Sequence, residues 1–466
     1  NRDFSNSIMS KIEVDAIDKQ SGSTLTLGGS GTAVTLACGA TQTGFGRSGS
    51  VNWQTTPKTA TFTAADGEGY FVNSGSALTM NLPAGSAGAI VAVSDYARNF
   101  ATYNLTISPN GTDKIGGIAQ NAVLKVDGQA ATFVFTDSTK GWVNVQNADE
   151  TQTGLSPFIQ ATGGTETIVC TNFKVHTFTG PGTFAVTGAG IPGLPAPSSS
   201  TTVDYLVVGG GGGGAGGTAF NSGSTGGGGA GGYRFSNGTV SGCYSAGPSP
   251  LGASALPVAV QSYTVTVGAG APAQVCSTPN GENKGIRGSD TTFSSIVSTG
   301  GGGGKAGTPA SPESTGGSGG GGNYQNSAAG AGNTPPVSPS QGNPGGAGSP
   351  SGPPYASGGG GGASAAGGAY APSTSGTGGA GLASSITGSA VTRGGGGGGG
   401  GSNSINRGMG GSGGGGAGGS PSDLAGDGTD NTGGGGGAAN SNPHPSPVTT
   451  TGAGGSGIVV IRYRFQ

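Results

Sequence analysis

The chain has 466 residues, of which 109 are glycine, and only 8% are charged, with a formal net charge of -2. Ordinary globular domains carry about 25% charged residues, so this chain avoids charge rather than balancing it, and it offers no electrostatic attraction to nucleic acid or an anionic membrane. No apolar run approaches the roughly 20 residues of a spanning helix. The four cysteines, Cys38, Cys170, Cys243 and Cys276, are far apart and lack finger spacing. They read as isolated buried thiols, with a Cys243 to Cys276 disulfide as the alternative.

Length predicts several modules rather than one core. Residues 1–50 contain two short runs alternating in period two, 23–27 and 32–37, which predict an attachment or shaft segment of short strands. Residues 51–150 contain strand patterns at 59–63, 69–72, 78–82, 89–93, 104–107, 131–135 and 142–145, with turn signals at Pro83, Asn110-Gly111 and Asp127-Gly128. This spacing predicts a β-sandwich. Phe133 and Phe135 fall on one face, and Trp142 is the expected core anchor.

Residues 151–202 carry a short β segment (167–169, 174–178, 183–186) and a linker rich in Pro and Ser. From 203 to 466 the chain is glycine-rich, opening with an apolar strand at 203–208 and closing with another at 458–465. Two ribs, 262–267 and 292–297, interrupt it and are expected to pair with those two strands as a base.

An ordered all-glycine tract has few options, because it can form neither an amphipathic helix nor a side-chain core. Polyproline II geometry remains, with three residues per turn and backbone groups pointing sideways to neighbours. The expected fold class is therefore all-β, with packed polyglycine II helices flanked by β-strands. Recognition chemistry is left to the loops between tracts, where aromatic residues offer amphipathic faces at low entropic cost. Tyr324, Tyr355 and Tyr370 are the leading candidates, with Tyr233, Arg234 and Tyr244 nearer the ribs.

Catalytic and cofactor motifs fail on inspection. The strand at 203–208 meets glycine as in a dinucleotide-binding turn, but residues 218–223 open no helix. Residues 301–305 resemble the end of a phosphate-binding loop, yet Ala306 stands where Ser or Thr is needed. Only His176 and His444 are available as histidine ligands, both read as surface or packing residues. Asp423, Asp427 and Asp430 suggest calcium but lack a complete loop, so a solvated loop is expected. No cofactor, no metal and no enzymatic activity are expected.

Taken together, several stretches resemble glycine-rich bacteriophage tail fibres and receptor-binding adhesins. They are Val203-Asp204-Tyr205-Leu206-Val207-Val208 before polyglycine, Gly231-Gly232-Tyr233-Arg234, Ser262-Tyr263-Thr264-Val265-Thr266-Val267-Gly268, Phe293-Ser294-Ser295-Ile296, and Gly457-Ile458-Val459-Val460-Ile461-Arg462-Tyr463. The resemblance implies a virion fibre protein whose distal loops bind a host surface glycan or outer-membrane protein. It also implies a homotrimer, as does the scarcity of side chains to bury in a lone chain, joined to other virion proteins at its N-terminal end. The alternative is an extracellular or cell-surface structural filament. The insert from 333 to 354, rich in Pro, departs from the pattern.

Overall fold

The computed structural model describes residues 51–146, 156–191, 199–217, 224–238, 244, 252–276, 283–307, 312–325, 328–402, 404–440 and 449–466. The expected strands at 23–27 and 32–37, the linker at 192–198 and His444 lie outside the described residues. Among those described, the fold is all-β, with one 3-10 turn (Pro312–Ser314) and no α-helix.

The first module is two packed sheets, as its period-two pattern predicts, but with unexpected connections. Strands β1 (Asn52–Lys58), β3 (Glu68–Val72) and β5 (Ile90–Asp95) alternate along the chain with β2 (Phe62–Thr63), β4 (Leu78–Asn81) and β6 (Leu105–Ser108). Odd strands pair in parallel in one sheet and even strands in parallel in the other, so the chain coils between layers. Strands β7 (Ala122–Leu124), β8 (Ala130–Phe135) and β9 (Trp142–Asn144) then add antiparallel partners. Alternation dictates which face is buried; it is silent on strand direction. Trp142, Phe133, Met80, Leu105 and Ile107 are fully buried, and Trp142 meets Phe135 edge-on at 5.6 Å.

The second module begins with β10 (Ile159–Thr162), β11 (Thr165–Val169), β12 (Phe173–Phe178) and β13 (Gly182–Ala189). It continues through β14 (Thr202–Val208), β15 (Tyr233–Phe235), β16 (Leu256–Pro257), β17 (Ser262–Thr266), β18 (Val275–Cys276), β19 (Thr291–Phe293) and β20 (Ile296–Ser298). A hairpin, β21 (Leu382–Ser384) and β22 (Val391–Arg393), follows, then β23 (Thr449–Thr450) on β18 and the closing β24 (Ile458–Arg464).

One sheet has the order β10-β13-β17-β19-β20, and the other β11-β12-β24-β14-β15 with β16 beside β14. The ribs therefore do not pair with the opening and closing strands; they face them across a core of Phe184, Tyr205, Val207, Val265, Phe293, Val459 and Ile461. The burial patterns explain this arrangement. Rib β17 alternates buried and exposed, which suits a sheet with one wet face, whereas β14 and β24 are buried on both faces and must be central. The second face of that central pair is covered partly by Ile386, from the β21–β22 connection. The stretch read as one rib at 292–297 is a hairpin, because Ser294 adopts a φ of 53° and Phe293 turns to face Ile296. Cys170 is disulfide-bonded, which corrects the expectation of an isolated thiol there, and Cys276 is in no disulfide, which removes the Cys243 to Cys276 pairing; Cys38 and Cys243 lie outside the described residues.

Above this base the strands run on as glycine helices. Strand β14 continues into 209–215, the tract 226–232 enters β15, β20 continues into 300–305, and 451–456 enters β24. Gly209, Gly212 and Ala215 donate to the carbonyls of Gly232, Gly229 and Gly226 at 2.9, 2.9 and 3.1 Å. Gly210, Gly213 and Gly216 donate to Ser289, Ile286 and Asn283, while Gly211 and Gly214 donate to Gly455 and Gly452. Every third amide thus serves the same antiparallel neighbour, which is the signature of a threefold helix. The carbonyls of the tract accept in the same period from Gly301 and Gly304, and from Gly436 and Ala439.

Glycine is required by proximity. A Cβ on Gly214 would lie 1.8 Å from the Gly437 carbonyl oxygen, whereas one on Gly213 would have nothing closer than 3.4 Å. Gly213→Ala should therefore melt at or slightly above the wild type, since alanine reduces unfolded-chain entropy by about 0.4–1 kcal/mol. Gly214→Ala should melt clearly below it. Equal melting temperatures in a calorimeter would contradict this packing.

Candidate functional site

The period-three lattice also determines where side chains gather. Tracts leave the base, turn and return, so the end remote from the base sheets carries the turns that follow 322, 347, 368, 401 and 419. Tyr324, Tyr355 and Tyr370 all occupy this end. Tyr324 N donates to Ser224 O and Ser224 N to Tyr355 O, both at 3.1 Å, so one residue joins the two tyrosine backbones. Their rings meet edge to face with centroids 4.9 Å apart. Tyr370 N donates to Ala347 O at 3.0 Å, tying its turn to the one leading to Tyr355. Tyr355 and Tyr370 are 37% and 36% exposed, and Tyr324 is half-buried.

The other three candidates belong to the base, and the burial of Tyr233 and Tyr244 corrects the reading of those two as recognition residues. Tyr233 and Tyr244 are 3% and 5% exposed and pack with Leu206, Val208, Phe235 and Ile386. Burial pushes both phenols up, Tyr244 to about 12, and its hydroxyl donates to Ser236 O at 2.9 Å. Arg234, half-buried on the opposite face of β15, donates to Val297 O of β20 at 3.3 Å. Strand β15 continues straight from a glycine tract, so no period-two pattern of its own marks Tyr233 as core.

The motifs set aside in the sequence have structural roles. The amides of Gly301, Gly302, Gly303 and Gly304, which a phosphate would need, donate to Gly210, Ser318, Glu313 and Gly213. Lys305 is buried, and desolvation pulls its ammonium pKa down. Asp427 and Asp430 accept the amides of Ala453 and Ser456 at 2.7 and 3.0 Å, standing in for carbonyls of the lattice, while Asp423 pairs with Arg407 at 3.1 Å. The three carboxylates do not converge, and no metal-binding cluster occurs among the described residues. His176 is wholly buried: its Nδ1 donates to Gly163 O at 2.6 Å and its Nε2 accepts from Tyr463 Oη at 3.0 Å. Burial lowers its pKa, which favours this neutral tautomer.

One feature the sequence did not expose is an aromatic row on the first module. Trp53 stacks on Phe71 at 4.9 Å, and Phe71 meets Tyr96 edge-on at 6.3 Å; Trp53 and Tyr96 are 40% and 60% exposed. The row exists only because β1, β3 and β5 are parallel neighbours, a relation no local pattern reports.

A sandwich base carrying a lattice of threefold glycine helices, with side chains concentrated in the far turns, defines a glycine-rich all-β protein. The chain belongs to the glycine-rich domain family, whose match covers residues 189–464, more than half of its length. No curated protein matches the chain.

Proposed function

We propose that this protein is a bacteriophage tail-fibre adhesin that binds the host cell surface through the turns at the far end of the glycine block. The observation that carries this reading is the gathering of Tyr324, Tyr355 and Tyr370 at one end of a backbone-bonded block whose other end is anchored in a β-sandwich. A lattice in which each tract bonds several others is a stiff pedestal, and rigidly mounted tyrosines bind with little entropy loss. The assembly in this proposal is a virion-borne homotrimer joined through residues 1–50, with a glycan or outer-membrane protein as receptor. The lack of side-chain burial that suggested three chains does not extend to the glycine block, because one chain satisfies that lattice by itself.

The test is adsorption of particles carrying Tyr324→Ala, Tyr355→Ala and Tyr370→Ala together, with the melting temperature checked on purified protein. Adsorption should fall at least tenfold while melting stays within a few degrees of the wild type. Undiminished adsorption by the folded triple variant would overturn the assignment and direct attention to Trp53, Phe71 and Tyr96.

A further inference from the structure

A cleft of 540 Å³ opens at the far end of the glycine block, lined by Ser402, Ile405, Asn406, Arg407, Ser420, Pro421 and Ser422. This lies within the range of small-molecule sites, about 300–1,000 Å³. Its walls are two turns, one following the tract 394–401 and the other preceding 425. Both are braced from behind. Ser375 N donates to Asn406 O and Asn406 N to Ser373 O, which fixes the first wall to the turn that begins at Tyr370. Ser420 and Asp423 close the second wall on each other through backbone bonds at 2.9 and 3.2 Å.

Arg407 Nη1 sits 3.1 Å from Asp423 Oδ2, which also accepts from Ser420 Oγ at 3.1 Å. Arg407 is therefore neither a lone cation nor buried, and the pair presents a forked donor beside an acceptor with no net charge. Ser402 Oγ is buried and has no hydrogen-bond partner among the described residues. That oxygen is enclosed by the wall, so the polar groups open to the cleft are those of Asn406, Arg407, Ser420 and Ser422. Ile405, 5% exposed, and Pro421 supply apolar surface between these polar groups.

We propose that this cleft is a binding site for a neutral sugar ring. Adjacent hydroxyls of a pyranose each need one donor and one acceptor, which Arg407, in the lining, and the exposed Asp423, bonded to it at the rim, offer side by side. Asn406, Ser420 and Ser422 add groups that can donate or accept, and the apolar C–H face of the ring meets Ile405 and Pro421. A phosphate or carboxylate fits less well, because Asp423 would repel it and already neutralises the only cation of the lining. The proposal rests on the adhesin reading for its biological meaning, naming the glycan as the receptor class, but sugar binding itself is measurable without a host.

The experiment is saturation-transfer NMR and titration calorimetry on the full chain. The probes are neutral hexoses, N-acetylhexosamines and heptoses, with inorganic phosphate as the anionic control. At least one sugar should bind and phosphate should not compete. Arg407→Gln and Asp423→Asn should each weaken that sugar at least tenfold. Ser422→Trp, a change at an exposed position that leaves the ion pair intact, should block the cleft and abolish binding with unchanged melting. Failure of every sugar to bind, competition by phosphate, or a sugar affinity unmoved by Ser422→Trp would overturn the proposal. If the tyrosine triple variant loses adsorption while no sugar binds, the cleft assignment fails and the adhesin reading stands. Sugar binding that responds to Arg407→Gln, in a protein whose adsorption ignores the tyrosines, gives the reverse.

Discussion

Gly397→Val should collapse the glycine block, whereas Ser404→Val, seven residues further along the same tract and turn, should leave it intact. A Cβ on Gly397 would lie 2.0 Å from Gly436 O and 2.6 Å from its carbonyl carbon, a clash with backbone that no rotamer relieves. Gly397 is held on its other sides, since its amide donates to Gly228 O and its carbonyl accepts from Gly360 N, both at 2.8 Å. Moving the tract away from Gly436 would stretch those bonds and, through period three, the bonds of every third residue along it. Overpacking a side-chain core costs about 1–3 kcal/mol, and a backbone lattice has less freedom to yield, so a loss above ~3 kcal/mol is expected. Ser404 lies exposed in a turn, where substitutions stay within about 0.5 kcal/mol. Thermal melting followed by circular dichroism separates the two; similar melting curves would mean that the tracts are not in contact.

The second large effect is expected at the base. Asp204 on β14 and Arg462 on β24 are direct cross-strand partners, 1% and 0% exposed at their side chains, with Nη1 and Oδ2 3.2 Å apart. Asp204 Oδ1 also accepts from Ser236 Oγ at 3.0 Å, and the guanidinium lies 3.7 Å above the Phe173 ring. Asp204→Leu would strand a buried cation and should cost about 3–5 kcal/mol. Replacing both partners, Asp204→Leu with Arg462→Met, should recover most of that loss, because an apolar pair of similar volume needs no desolvation. Calorimetric melting of the two single variants and the double variant tests this. A double variant no more stable than its worse parent would show that the pair stabilises the fold outright. The position explains why such a pair is present. β14 and β24 are buried on both faces, so their hydrophobic pattern cannot specify register, and a single complementary charge pair can.

Much of the architecture follows from residue chemistry alone. Tracts such as 209–214 and 394–401 have no side chains to bury and no propensity to satisfy. Backbone pairing in threefold helices is nearly the only ordered state open to them, and the period-three bonds of Gly209 to Gly216 follow it. Strands β3, β4, β5, β6, β8 and β9, the inward pair Phe133 and Phe135, and the Trp142 anchor are legible for the same reason, because burial on one face writes a period of two into the sequence, whereas the mostly exposed β1 and the three-residue β7 are not.

What the sequence could not express is partnership between distant segments. Parallel coiling of β1 to β6, and ribs that cross the core instead of joining β14 and β24, depend on which segments meet, and alternation carries no address. The turn at Ser294 needed a left-handed residue that no glycine or asparagine announced. Tyr233 and Tyr244 read as loop aromatics until tertiary packing laid Ile386 over them, while Tyr324 and Tyr355 were brought edge to face by tracts meeting through Ser224. The sequence by itself determined that glycine would pack on glycine and that the larger side chains of the block would lie between its tracts. Only the tertiary structure decided which turns share an end, because that depends on where each tract finds its hydrogen-bonding neighbours.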